Sequence, residues 1–143
     1  MREILFKAKR KDTGEWVEGL LWKKKYNSNK IFISCFPDKD DNEEVFVVAQ
    51  DTICQYTGLT DKNGRKIFEG DIVTTKYELG RGGFYTFEVY YNENLCQFAL
   101  TINTGSYTKN KQYDWLQLTA SKAKKIEVIG NVFDNPELLE KAR

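Results

Sequence analysis

The sequence predicts a mainly β protein: hairpins packed on a small β-barrel, with one short helix at the C-terminal end. Several short runs alternate apolar and polar residues with the period of a half-buried strand. Glycine, asparagine and aspartate punctuate those runs where tight turns are needed. A hydrophobic fraction of 41%, an aromatic fraction of 14% and only two prolines describe a chain that can bury a core and has no reason to stay disordered. At 143 residues it is the size of one ordinary domain or of two small lobes.

Residues 3–9 form the first strand candidate, with Ile4, Phe6 and Ala8 alternating against Glu3, Leu5, Lys7 and Lys9. Asp12-Thr13-Gly14 turns the chain into a partner strand from Trp16 to Trp22. There Trp16, Glu18, Leu20 and Trp22 share one face, and Val17, Gly19 and Leu21 the other. Lys23-Lys24-Lys25 and Asn27-Ser28-Asn29 read as a hairpin tip, Ile31-Phe32-Ile33 as the next strand, and residues 37–44 as an acidic loop before Val45-Phe46-Val47-Val48. Asp38, Asp40 and Asn42 have the alternate spacing of a calcium loop. The pattern fails where geometry is strict, with Glu43 at the glycine position and Ala49 at that of the bidentate glutamate. Asn63-Gly64 predicts a type I′ hairpin turn, and Ile67-Phe68-Glu69-Gly70-Asp71-Ile72-Val73 a strand that bends at Gly70-Asp71 and resumes. Gly80-Arg81-Gly82-Gly83 precedes a strand and not a helix, so it reads as a hairpin loop and not a phosphate cradle. Residues 84–91 and 96–102 are strands, 103–112 a polar loop, and 115–118 and 125–129 the closing strands. Asn135-Pro136-Glu137 starts a terminal helix. The boundary between an N-terminal lobe, 1–50, and the later barrel, 51–143, is soft.

Three stretches carry a family resemblance. They are Met1-Arg2-Glu3-Ile4-Leu5-Phe6-Lys7-Ala8, the central Gln55-Tyr56-Thr57-Gly58-Leu59 with Asp61-Lys62-Asn63-Gly64 and Ile67 to Val73, and the closing Val128 to Leu139. In this order they resemble the YopX family of phage and prophage proteins along the whole chain. Phe68 stands where that family often has Tyr, and Val132-Phe133 where Ile-Tyr is common. The resemblance implies a phage-derived gene and an SH3-like barrel for the later part. It brings no established activity and no catalytic residues. Tyr56, Gly58, Asn63, Gly64, Glu69, Gly70, Asp71, Gly130, Asn131 and Pro136 are its structural signature.

Composition narrows the function. With 22 Lys+Arg against 21 Asp+Glu, no strong field gathers polyanions or anionic lipid. Cys35, Cys54 and Cys96 are odd in number, lack CxxC spacing and read as reduced, buried thiols. There is no histidine, which removes Ser-His and Cys-His nucleophiles and histidine-containing metal sites. No cofactor or metal site is expected. Without a secretory or membrane-spanning run, the expected location is the cytoplasm of a bacterial host.

Three functional readings remain. Glu69 and Asp71 could divide acid and base roles in a hydrolase, but an aspartate at a strand corner more often pins the bend. Lys7, Lys9, Lys11 and Lys23, Lys24, Lys25, interleaved with Trp16 and Trp22, could contact single-stranded nucleic acid. The favoured alternative is that these lysines blunt an edge strand while the tryptophans fill the core. The leading reading is a non-enzymatic binding module for a protein partner or a second copy of itself, with Tyr85, Tyr90 and Tyr107 as candidate interface residues.

Overall fold

The alternating runs build two antiparallel sheets, and the chain is mainly β. The computed structural model describes residues 2–26, 29–36, 42–75, 85–102 and 115–140. The expected turn at 27–29, the acidic loop 37–44, the glycine connection at 80–83 and the loop 103–112 with Tyr107 fall wholly or partly outside these residues. The chain divides into two compact units, Met1–Tyr56 and Thr57–Arg143.

In the first unit, β1 (Phe6–Lys9), β2 (Trp16–Lys23), β3 (Ile31–Cys35), β4 (Glu44–Val48) and the start of β5 (Cys54–Thr60) lie in the order β4-β3-β2-β1-β5. The register pairs Lys7 with Glu18, Leu20 with Ser34, Trp22 with Phe32, Ser34 with Val45 and Phe32 with Val47. The inner face collects Ala8, Ile33 and Val48, flanked by Phe6, Val17, Leu21, Ile31 and Phe46. Arg10 and Val48 form a single bridge, with Lys11 N–H to Val47 O and Ala49 N–H to Lys9 O both at 2.9 Å. The end of β4 thus curls towards the end of β1. β1 begins at Phe6 and not at residue 3: Ile4 is 60% exposed, so nothing on the inner face rewards extending the ladder.

In the second unit, the later part of β5 runs beside β6 (Lys66–Phe68). β7 (Asp71–Thr75), β8 (Tyr85–Asn92), β9 (Gln97–Ile102), β10 (Trp115–Gln117) and β11 (Glu127–Asn131) form a sheet of order β10-β9-β8-β7-β11. Ile67, Val73, Phe87, Val89, Leu100, Ala123, Ile126 and Val128 make its core. Two helical turns complete it. α1 (Ala120–Ala123), absent from the sequence expectation, is capped by Thr119, whose hydroxyl accepts Lys122 N–H at 3.3 Å. α2 (Glu137–Glu140) is the expected terminal helix.

The expected barrel closure is not what the described residues form. Both sheets are open, and β10 and β11 are the two edges of the second. The outer edge of β11 meets a turn instead of a strand: Lys62 N–H donates to Ile126 O at 3.0 Å and Val128 N–H to Asp61 Oδ2 at 2.9 Å. That turn also departs from type I′. Gly64 has φ +81°, but Asn63 does not share it, since Cys96 alone of the described non-glycines has positive φ. Asp61 is the reason. Its Oδ1 accepts Asn63 and Arg65 N–H, each at 2.9 Å, and Asp61 O accepts Gly64 N–H at 3.0 Å. An aspartate in the first turn position favours this longer loop, in which the glycine alone is left-handed.

Candidate interaction face

Strict alternation along β2, β3 and β4 leaves a second face, opposite the core of the first unit, and the register fixes what it carries. Leu20, Ser34 and Val45 form one row across the strands; Trp22, Phe32 and Val47 form the next. The Trp22 and Phe32 rings stack at 4.4 Å with an interplanar angle of 14°. Trp22 Nε1–H donates to Ser34 Oγ at 2.8 Å, and the Ser34 hydroxyl donates to Glu43 Oε1 at 2.6 Å. Ser34 is buried beneath these groups, whereas Leu20 is 53%, Val45 45% and Trp22 37% exposed. The indole is held by a ring and a hydrogen bond and still faces solvent. This costs it little further entropy on binding.

The six candidate lysines do not form one stripe. Lys7 and Lys9 both place their ammonium groups over Trp16, at 4.8 and 5.4 Å from the ring centroid. Lys24 lies 5.8 Å from the Phe32 centroid and Lys25 5.3 Å from that of Tyr26. Lys11 borders a groove along β4 with Arg10, Lys30 and Phe46, and Lys23 ends β2 exposed. The expectation that the tryptophans fill the core and the lysines blunt an edge needs correction. Trp16 and Trp22 lie on the outer face because they are out of phase with Val17 and Leu21, and β1 runs between β2 and β5. Lysine stems laid on an indole satisfy the ring without burying it.

The signature residues serve turns and corners. Tyr56 is buried, and its N–H donates to Leu5 O at 2.8 Å. Gly58 and Gly70 have φ +86° and +82°. Asp71, 2% exposed, accepts Phe68 N–H at 2.8 Å across the Glu69-Gly70 corner. The Asn131 side chain accepts Phe133 and Asp134 N–H at 3.0 and 2.9 Å. A Cβ on Gly130 would sit 2.5 Å from Asn135 Oδ1, and Pro136 O accepts Leu139 N–H at 3.2 Å in α2. Asp61 has no role in the sequence expectation, although an aspartate three residues before a left-handed glycine is a turn signal. Of the three cysteines expected to be buried, Cys54 is, whereas Cys35 is half-buried at the end of β3 and Cys96 is exposed in the turn between β8 and β9. Among the described residues, no group of three or more His, Cys, Asp or Glu side chains is placed to hold a metal ion.

Of the candidate tyrosines, Tyr90 is half-buried opposite Ala99 on β9; Tyr107 and the side chain of Tyr85 lie outside what is described. Beside Tyr90, Glu88 sits between Ile72 and Thr101, and partial burial pushes its carboxyl above the ordinary 4.5. A raised carboxyl favours the fold fully below that ordinary value and loses the contribution as pH climbs through the folded value. Glu88→Gln should therefore raise Tm at neutral pH. The gain should vanish below about pH 4.5 in paired thermal melts, and a gain that persists in acid would exclude desolvation as its cause.

A family model described as YopX protein matches residues 5–140. The chain belongs to the YopX family. The match spans both units of this YopX chain, so the resemblance carried by its opening, central and closing stretches holds over nearly its whole length. The fold is similar to the crystal structure of protein EF1440 from Enterococcus faecalis, with a TM-score of 0.54 and 24% identity over 97% of this chain and 99% of that one. No curated protein matches it. No helix among the described residues is long and apolar enough to cross a membrane.

Proposed function

We propose that this YopX-family chain is a non-enzymatic accessory protein of a phage or prophage. It acts in the host cytoplasm and binds a protein through the outer face of β2, β3 and β4. The observation that carries this reading is Trp22, an exposed indole fixed by Phe32 and Ser34 and flanked by exposed Leu20 and Val45. Rigid aromatic anchors surrounded by aliphatic groups and rimmed by charge are what protein interfaces use for affinity. The acidic pair at Glu69 and Asp71 supports the non-enzymatic side, because Asp71 is buried and bonded to backbone within its own corner.

A second reading, single-stranded nucleic acid, is favoured by the ammonium groups over Trp16 and Phe32. Bases stack on ring faces, and here those faces are occupied by the chain's own cations or by each other. A protein that packs on ring edges and methyl groups displaces nothing. The test is affinity capture from prophage-induced host cells after nuclease treatment, with wild type beside Leu20→Glu and Trp22→Ala. The expected result is a protein partner retained by wild type and reduced at least about tenfold by both variants, as for central anchors, with thermal melts showing both folded. Identical capture by all three would exclude this face. A salt-sensitive anisotropy shift with a labelled oligonucleotide would favour the second reading.

A further inference from the structure

Resting on that reading, we infer that the occupant of the face is a second copy of the chain, packed face to face with β2 antiparallel to β2. The outward positions of β2 and its extension run Trp16, Glu18, Leu20, Trp22, Lys24. Trp16 is covered by the ammonium groups of Lys7 and Lys9, and from Glu18 onward one acid and one base bracket the two apolar groups. Lys24 belongs on this face because its ammonium lies over Phe32, which stacks on Trp22. A two-fold axis in the contact plane, running across the strands between Leu20 and Trp22, superposes this pattern on itself in reverse. Glu18 of one copy then meets Lys24 of the other, and Leu20 meets Trp22. The register carries the match sideways, since the same operation sets Val45 against Val47 on β4.

An axis along the strands would instead set Glu18 on Glu18 and Lys24 on Lys24, which like-charge repulsion opposes. Closed two-fold contacts demand this self-complementarity: whatever sits at one end of the patch must suit what sits at the other. A patch three strands wide is at the small end of interface sizes, so the association is weak and its extent depends on concentration.

Sedimentation velocity of the full chain over rising concentration tests the arrangement, with circular dichroism confirming that each variant folds. Wild type should shift from monomer towards dimer. Glu18→Lys alone and Lys24→Glu alone should each weaken dimerisation about tenfold or more, since each creates two like-charge contacts. An equimolar mixture of the two variants should restore it, because every contact in that heterodimer is again between opposite charges. The doubly reversed chain should also dimerise, whereas Leu20→Glu mixed with either should not. A wild type that stays monomeric at the highest concentration, or a mixture that associates no better than its components, overturns the two-fold arrangement. If the wild type is monomeric while Leu20→Glu still loses a captured partner, the face binds a different protein and the broader reading stands. If neither occurs, both fall.

Discussion

Gly19→Ala should cost the first unit roughly 3 kcal/mol or more, at or beyond the upper end of overpacking penalties. A Cβ at Gly19 would lie 2.0 Å from Ser34 O, 2.8 Å from its carbonyl carbon and 3.0 Å from Ile33 Cγ2. The obstacle is backbone, and it cannot withdraw without breaking the β2–β3 ladder that pairs Leu20 with Ser34. For a chain of this size the loss is a fall in Tm of roughly 10 °C. Gly14→Ala is the control: its φ of +75° disfavours a side chain, but nothing lies within 4 Å of a Cβ there. It should cost only about 1 kcal/mol. Thermal melts that reverse this order would mean that β3 does not approach β2 as described.

Asp61→Ala should cost the second unit about 3 kcal/mol. Its carboxylate accepts Asn63, Arg65 and Val128 N–H, and Asp61 is 5% exposed. Water can reach the exposed ends at Asn63 and Arg65, but Val128 is buried. A buried donor left without an acceptor costs about 1–3 kcal/mol, and bonds to a charged acceptor are worth more than neutral ones. Asp61→Asn keeps one acceptor oxygen while turning an amide donor towards a backbone donor, so it should fall between wild type and alanine. Denaturant titration followed by circular dichroism reads all three, and an alanine variant within 0.5 kcal/mol of wild type, the spread of ordinary surface changes, would exclude the carboxylate as the tie between turn and edge.

Both effects show which parts of the fold the sequence could express. Period-two alternation is a local property, so it placed Val17 and Leu21 on one face and Leu20 and Trp22 on the other, and it located most strands. It does not say which face meets the core; hence the tryptophans were expected inside, where Val17 and Leu21 in fact sit. Asn63-Gly64 announced a turn, yet the turn's type depended on the Asp61 carboxylate reaching two amides ahead. Barrel closure is a non-local matter, decided by what meets the outer edge of β11, and no residue near Val128 encodes that the partner is a turn 67 positions earlier in the chain. α1 is too short to display helical periodicity, and Thr119 was its one legible signal. The candidate face shares this limit: its residues could be read, but their exposure and the Trp22–Ser34–Glu43 relay could not.

That relay also equips the molecule with an optical reporter. An indole held in one orientation, hydrogen-bonded at its nitrogen and half in water, emits from a single well-defined environment. Whatever covers it will displace solvent and move its emission to shorter wavelength, so occupancy of the face can be followed on unlabelled protein as the difference in intrinsic fluorescence between wild type and Trp22→Phe, which removes the emission of Trp16 and Trp115.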